Sequence, residues 1–171
     1  MLALNIPPYD GVYRKNRSDF ITELQRSGRE RSVETTIEKR NIKQMVHSLR
    51  AGRTVWYAPD QAYVRKGSEI IEFFGTPGMH TTATSTLARL GRAVAIPFFP
   101  IRLDDGSYEM IIYPPLENVP SDDLVADTRS YLAVLEQHIE KRREQYFWIH
   151  RKFKGLPPAY PDYYADLDAL K

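Results

Sequence analysis

The stretch TVWYAPDQAYVRKGSEIIEFFG, Thr54 to Gly75, carries the reading of the fold. The apolar run Val55-Trp56-Tyr57-Ala58 stops at Pro59-Asp60-Gln61. A basic loop with Arg65 and Lys66 follows, then a short apolar run that ends at Gly75. Read outward from here, Thr54–Ala58 is a buried strand and residues 71–74 a second, short one. In an α/β sheet, ligand groups collect at strand C-termini. Asp60 and Gln61 stand at such an edge, where a carboxylate can orient a basic group or accept a hydrogen bond from a substrate hydroxyl. An Asx turn after Pro59 explains the same residues equally well.

Upstream, Gly11–Arg14 reads as a strand, and Ser18–Arg26 as a weak helix with Phe20, Ile21 and Leu24 at helical spacing. Thr36–Ala51 predicts a clearer helix, with Ile42, Met45, Val46 and Leu49 on one face, His47 off it in solvent and Gly52 as its stop. Downstream, Thr81 or Thr82 caps a helix through Leu90, and the preceding GTPGMHTTATS reads as a loop. AVAIPFFPIRL and SYEMIIY, joined by Asp104–Gly106, predict a hairpin. Pro97 and Pro100 confine it to an edge or a bulge. A long helix starting at Ser121 buries Leu124, Tyr131, Leu132, Leu135 and Ile139, with His138 partly exposed. The Pro-rich tail 156–171 reads as extended or frayed. The whole is an α/β fold, a mixed central sheet with flanking helices in a single domain, 1–171.

With 171 residues, 42% hydrophobic and 27% charged, the chain can bury a core. It has no cysteine, which excludes a disulfide framework, a thiolate nucleophile and cysteine metal sites. No two histidines have H-x-x-x-H spacing, so neither metal nor cofactor is expected. Glycine-rich phosphate loops and G-x-S-x-G elbows are absent from the sequence. The net charge of +2 is too small for a typical nucleic-acid binder. Its basic residues are local, in RKNR (Arg14–Arg17), RSGRER (Arg26–Arg31) and KRREQYFWIHRKFK (Lys141–Lys154), as suits anionic ligands or a membrane surface. His80, before the Thr-rich helix start, is a candidate for holding an anion there. His150, among Arg151, Lys152 and Lys154, should be held neutral. No run approaches the ~18 apolar residues of a membrane span. MLALNIPPYDG has no basic n-region and is broken by Pro7-Pro8, so it does not read as a signal peptide.

Several segments in this order resemble one family: IKQMVHSLRAGRTVWYAPDQAY (42–63), FFGTPGMHTTATSTLARL (73–90), AVAIPFFPIR (93–102) and REQYFWIHRKFKGLPP (143–158). They are similar to the late acyltransferases of lipid A biosynthesis, the lauroyl/myristoyl transferases of Gram-negative bacteria. GVYRKN and SGRER look like that family's second block, so the likeness runs from about Gly11 to about Pro158.

The resemblance implies a fold like that of the glycerolipid acyltransferases. It implies transfer of a fatty acyl group from acyl carrier protein to a hydroxyl of an acyl chain on the lipid A precursor. The place would be the cytoplasmic face of the bacterial inner membrane, with an anionic lipid surface as a further partner. A His-x-x-x-x-Asp/Glu pair would remove the hydroxyl proton. In this sequence the residues five places after His47, His80, His138 and His150 are Gly52, Ser85, Arg143 and Gly155. The resemblance places that pair upstream of Gly11, so the chain is expected to be an N-terminally truncated, catalytically incomplete portion of a family member, with no catalytic residue of its own. The substrate-side residues it implies are Arg14 and Arg29, for neutralising phosphate, and Asp60 and Gln61, for shaping the site floor. Lys15 stands where the family has a proline after Arg14. Pro97 matches the fourth block. Trp148, Arg151, Lys152 and Lys154 are the expected membrane-interface residues. The alternative is a non-enzymatic module that binds anionic lipid or phosphate.

Overall fold

The structure is a computed structural model that describes residues 8–168. Those residues fall into two compact units: one runs to Ala58 and adds Leu87–Ala93, the other holds Pro59–Thr86 and the chain from Val94 onward.

The first unit is a parallel sheet of β1 (Tyr9–Tyr13), β2 (Thr35–Glu38) and β3 (Thr54–Trp56), in the order β2-β1-β3. Parallel neighbours need crossovers, and α1 (Asp19–Arg29) and α2 (Ile42–Arg50) supply them. Gly11 sits at the centre, paired with Thr36 on one side and Trp56 on the other. A Cβ there would come within 3.0 Å of Val33 Cγ1. Ile37, Met45 and Leu87 form the core, with Val12, Val46, Leu49, Val55 and Tyr57 packed against it. Within this apolar setting Asp10 is fully buried. Arg53 grips both its oxygens, Nε at 3.0 Å, and the Ser48 hydroxyl donates to it as well. Burial alone would raise the Asp10 pKa. The hydrogen bonds from Arg53 and Ser48 outweigh that and hold it below the ordinary aspartate value.

Three expectations change here. The helix expected over 36–51 starts at Ile42, because the β-branched Thr35-Thr36-Ile37 extend into β2. Asn41 caps it instead, its Oδ1 accepting from Gln44 N at 3.1 Å. β3 is shorter than expected and only half-buried. On α1, capped by Ser18, the apolar residues that marked the helix face outward. Phe20 is 74% and Leu24 58% exposed, while Thr22 is the buried side.

The second unit holds two antiparallel hairpins, β4 (Ser68–Phe73) with β5 (Thr76–Thr81), and β6 (Phe98–Arg102) with β7 (Tyr108–Ile112). Phe74 and Gly75 turn the first at φ 50° and 70°, the primed geometry that matches strand twist. Phe74 is steadied there by its N–H to Glu136 Oε1, 2.6 Å. β5 occupies the stretch read as a loop; its Gly and Pro residues disguised it, but six register pairs hold it to β4. α3 (Ala83–Gly91) follows as expected. α4 (Leu124–Lys141) lays Tyr131, Leu132, Leu135 and Ile139 on Ile71 and Phe73. Its cap is Asp123 rather than Ser121, which bonds the buried Asp127 instead. Leu124 is only half-buried, and His138 is buried, stacked 4.2 Å from Phe99.

The α/β class stands, but the single mixed central sheet does not. Among the described residues the strands divide into three separate small sheets. The tail is not simply extended: Phe153 N donates to Tyr164 Oη at 3.1 Å, and α5 (Ala165–Asp168) adds a helical turn. The end of the tail expected to be extended or frayed, residues 169–171, lies outside the described residues.

Leu132→Ala is expected to destabilise the chain by about 2–5 kcal/mol, whereas Phe20→Ala should stay within about 0.5 kcal/mol. Urea unfolding of the two variants checks this; equal costs would contradict the outward orientation of α1.

Candidate functional site

The second unit opens with the segment Pro59–Ala62, and its backbone is held at Pro59, Asp60 and Ala62. Tyr131 Oη, from α4, donates to the Pro59 carbonyl at 3.1 Å. The Lys152 ammonium donates to the Asp60 carbonyl. Ala62 N–H donates to His150 Nε2 at 2.9 Å, and Tyr63 N–H to the Met79 carbonyl of β5 at 3.0 Å. Backbone groups in a partly buried turn must find partners, and here side chains distant in sequence provide them. The result is a stiff platform from which the half-buried Asp60 and the exposed Gln61 project.

Behind the platform lies a buried group of titratable side chains. Lys152 is buried, its ammonium 4.8 Å from the Phe73 ring centroid. Burial pulls its pKa down to about 8, while the Asp60 carboxylate works the other way. His80, on β5, is fully buried beside Phe73, and Gly78 leaves room for it: a Cβ at Gly78 would lie 3.0 Å from His80 Nε2. Among the described residues neither His80 nitrogen has a hydrogen-bond partner. Burial, then the nearby Lys152 charge, drives its pKa down to about 3. His150 is also lowered, by burial first and then by Lys154 and Lys152. Burial and Asp60 push the Tyr146 hydroxyl up to about 12. At neutral pH the imidazoles and the phenol are therefore uncharged, and Lys152 is the buried cation among them.

This corrects two expectations. His80 does not hold an anion at the α3 start, because it is neutral and sealed from solvent. Lys152 does not reach outward toward lipid, because its ammonium is turned into the core on the Asp60 carbonyl. The neutral form expected for His150 does follow, though burial contributes more than its cationic neighbours.

The other predicted residues separate by unit. Arg14 and Arg29 lie in the first, Asp60 and Gln61 in the second. Arg14 is exposed just after β1. Arg29 ends α1, half-buried, with Nη1 3.4 Å from the Val12 carbonyl and its guanidinium 5.7 Å over the Trp56 ring. In the second unit, Trp148 is 55% exposed and anchored by its indole N–H to the Arg143 carbonyl at 2.6 Å. Phe147 and Ile149 on either side are also exposed, and so is Lys154. Arg151 is half-buried, its guanidinium 5.4 Å over the Tyr164 ring. Sequence reasoning misses the grip of Tyr131, His150 and Lys152 on the platform. The one available signal is that the PDQA and IHRK segments both stand out by composition; nothing local says that they touch.

A sequence model of the bacterial lipid A biosynthesis acyltransferases matches residues 1–155. The chain belongs to this family. It is similar to the lipid A biosynthesis lauroyltransferase of Escherichia coli K12, 38% identical over 159 residues, which is 92% of this chain and 52% of that protein. It is 37% identical over 153 residues to the palmitoleoyltransferase of the same organism, 88% of this chain and 49% of that protein. A Haemophilus influenzae lipid A biosynthesis acyltransferase is 35% identical over 153 residues, again 88% and 49%. The chain thus spans about half the length of these relatives. The matched range includes both platform segments, Pro59–Ala62 and Tyr146–Lys152, so the family match covers what the fold brings together.

Lysine in the unfolded chain keeps its proton to about pH 10.4, whereas folded Lys152 releases it near 8. Between those values the unfolded state binds more protons, so stability at this site rises with pH. The wild type should therefore gain stability relative to Lys152→Met as pH is raised from about 7 to about 9.5. Urea titrations across that range test it, and a constant difference would mean the ammonium is not buried.

Proposed function

We propose that this chain forms part of an enzyme that transfers a fatty acyl group from acyl carrier protein to a hydroxyl on an acyl chain of the lipid A precursor. Membership of the lipid A acyltransferase family supports the class of reaction. The observation that carries the reading for these residues is the platform. The family match covers two segments far apart in sequence, and one of them pins the other so that Asp60 and Gln61 stand on rigid backbone. Such rigidity matters because transfer depends on holding hydroxyl and thioester in line, and small misplacements cost rate steeply.

In this reading Asp60 accepts a hydrogen bond from the acceptor hydroxyl or orients a basic group beside it, with Gln61 at the rim. Arg14 and Arg29 neutralise phosphate, a role suited to the guanidinium fork. The hydroxyl must lose a proton as the acyl bond forms, and a histidine backed by a carboxylate would take it. None of the four histidines here has a carboxylate five places on, and His80 is sealed. The chain accordingly supplies the substrate side of the site and no proton acceptor. Phe147, Trp148 and Ile149, the last 86% exposed, project beside Lys154 and suit contact with anionic lipid at the cytoplasmic face of the inner membrane. No described helix is long and apolar enough to cross a membrane.

Two measurements test this. A chimaera in which residues 9–155 replace the matching part of the E. coli lauroyltransferase should transfer acyl groups. In it, Asp60→Asn or Arg29→Ala should lower kcat/KM by about 10- to 100-fold, while the isolated chain should be inactive. A folded chimaera indifferent to both substitutions would defeat the assignment. Separately, Trp148→Ser with Ile149→Ser should weaken binding of the chain to vesicles containing phosphatidylglycerol several-fold. Unchanged partitioning would remove this segment from the membrane contact.

A further inference from the structure

The grip on Pro59–Ala62 has a feature that stability alone does not explain. His150 and Lys152, two places apart, hold Ala62 and Asp60, two places apart, in the opposite order. That is the pairing of antiparallel neighbours, with side chains standing in for backbone partners. His150 accepts and Lys152 donates, so each suits the backbone group it meets. Lys152 is only 4% exposed, and its ammonium lies over the ring of the fully buried Phe73. Among the described residues no carboxylate forms an ion pair with it. The fully buried His80, with neither nitrogen partnered among the described residues, brings a second polar group against the same Phe73 ring. A buried cation without a counter-ion costs stability even where a hydrogen bond is made. Methionine, unbranched and adaptable, could fill the same space against Phe73 without the charge.

We infer that Lys152 is a positioning residue for acyl transfer: its buried ammonium fixes the Asp60 main chain, and through it the place where the Asp60 carboxylate meets the acceptor hydroxyl, at a cost in stability that an apolar side chain would not carry. The inference rests on the acyltransferase reading for the reaction, and on the geometry for the residue. Lys152 is sealed from solvent, so it touches no substrate and acts through Asp60. It uses the Asp60 carbonyl and not the carboxylate, which keeps the acidic group for substrate. A fold gains nothing in stability from an unpaired ammonium on an aromatic core, and departures of this kind gather where placement matters more than stability. Placement matters here because a small shift of a group beside the reacting atoms lowers the rate steeply. Lys152 therefore serves the rate and not the affinity, since the bond it makes is already present before substrate arrives.

The test is a double-mutant cycle in the chimaera, with Lys152→Met, Asp60→Asn and both together. Lys152→Met should lower kcat about tenfold and leave KM within about twofold. In the Asp60→Asn background the same change should cost less than about threefold, because the group it places is gone. The urea midpoint of Lys152→Met at pH 7 should equal or exceed that of the wild type. Lys66→Met, exposed in the second unit, is the control and should change nothing. A loss of kcat of the same size in both backgrounds, accompanied by a lower midpoint, marks a merely structural residue and overturns the inference. Amide hydrogen exchange on the full chain gives a readout without turnover. In Lys152→Met the Ala62 and Tyr63 amides should exchange at least about tenfold faster while α4 keeps its protection. Unchanged exchange at Ala62 and Tyr63 overturns the inference. An inactive chimaera together with the faster exchange would overturn the proposed function and leave the tether. An active chimaera whose kcat ignores Lys152→Met would overturn this inference alone.

Discussion

The arrangement of the second unit turns on one buried ammonium. Lys152 gives up most of its water, and the compensation it finds is the Asp60 carbonyl and the face of Phe73. Removing a cation from solvent costs several kcal/mol unless its donors are satisfied. Lys152 is therefore held at one point, and through it the Asp60 backbone. The neighbouring groups follow from the same burial. His80 and Tyr146 sit near the ammonium and the carboxylate respectively, and each is kept in its neutral form.

The first unit solves a similar problem with a pair of opposite charges. Asp10 is buried on the central strand, and Arg53, immediately before β3, closes on it with Ser48 from α2. This links β1, α2 and the approach to β3 by one carboxylate. A buried pair of this kind is weak evidence for added stability but a strong constraint on arrangement, because an unpaired Asp10 would be costly. Among the described residues the exposed Lys43, Arg50 and Arg92 of the same unit form no ion pair, and that contrast separates cations used to hold the fold from cations facing outward.

Much of the chain is legible from residue order alone. β1, α3, the β6–β7 hairpin and the apolar stripe of α4 follow from periodicity and turn chemistry, since their neighbours in sequence are also their structural determinants; α1 is legible as a helix but not in which face it buries. β2 and β5 are not legible in this way. Thr35–Glu38 has the spacing of a helix start and becomes a strand only because β1 offers it a ladder. Thr76–Thr81 carries Gly and Pro in a strand whose small Gly78 leaves space for His80. His138 and Lys152 depart from expectation for one reason: a polar residue at the margin of an apolar stripe is buried or exposed according to what lies across from it.

By itself, then, the sequence determined the family and the α/β class, because those rest on residue type and order. It also determined that none of the four histidines has a carboxylate five places on, since a fixed spacing can be counted. Only the tertiary structure decided that the strands form three small sheets, that Lys152 turns inward while Trp148 stays at the surface, and that Tyr131, His150 and Lys152 hold Pro59–Ala62. Each of those depends on contacts between residues dozens of positions apart, and the choice between water and a buried partner is made by those contacts.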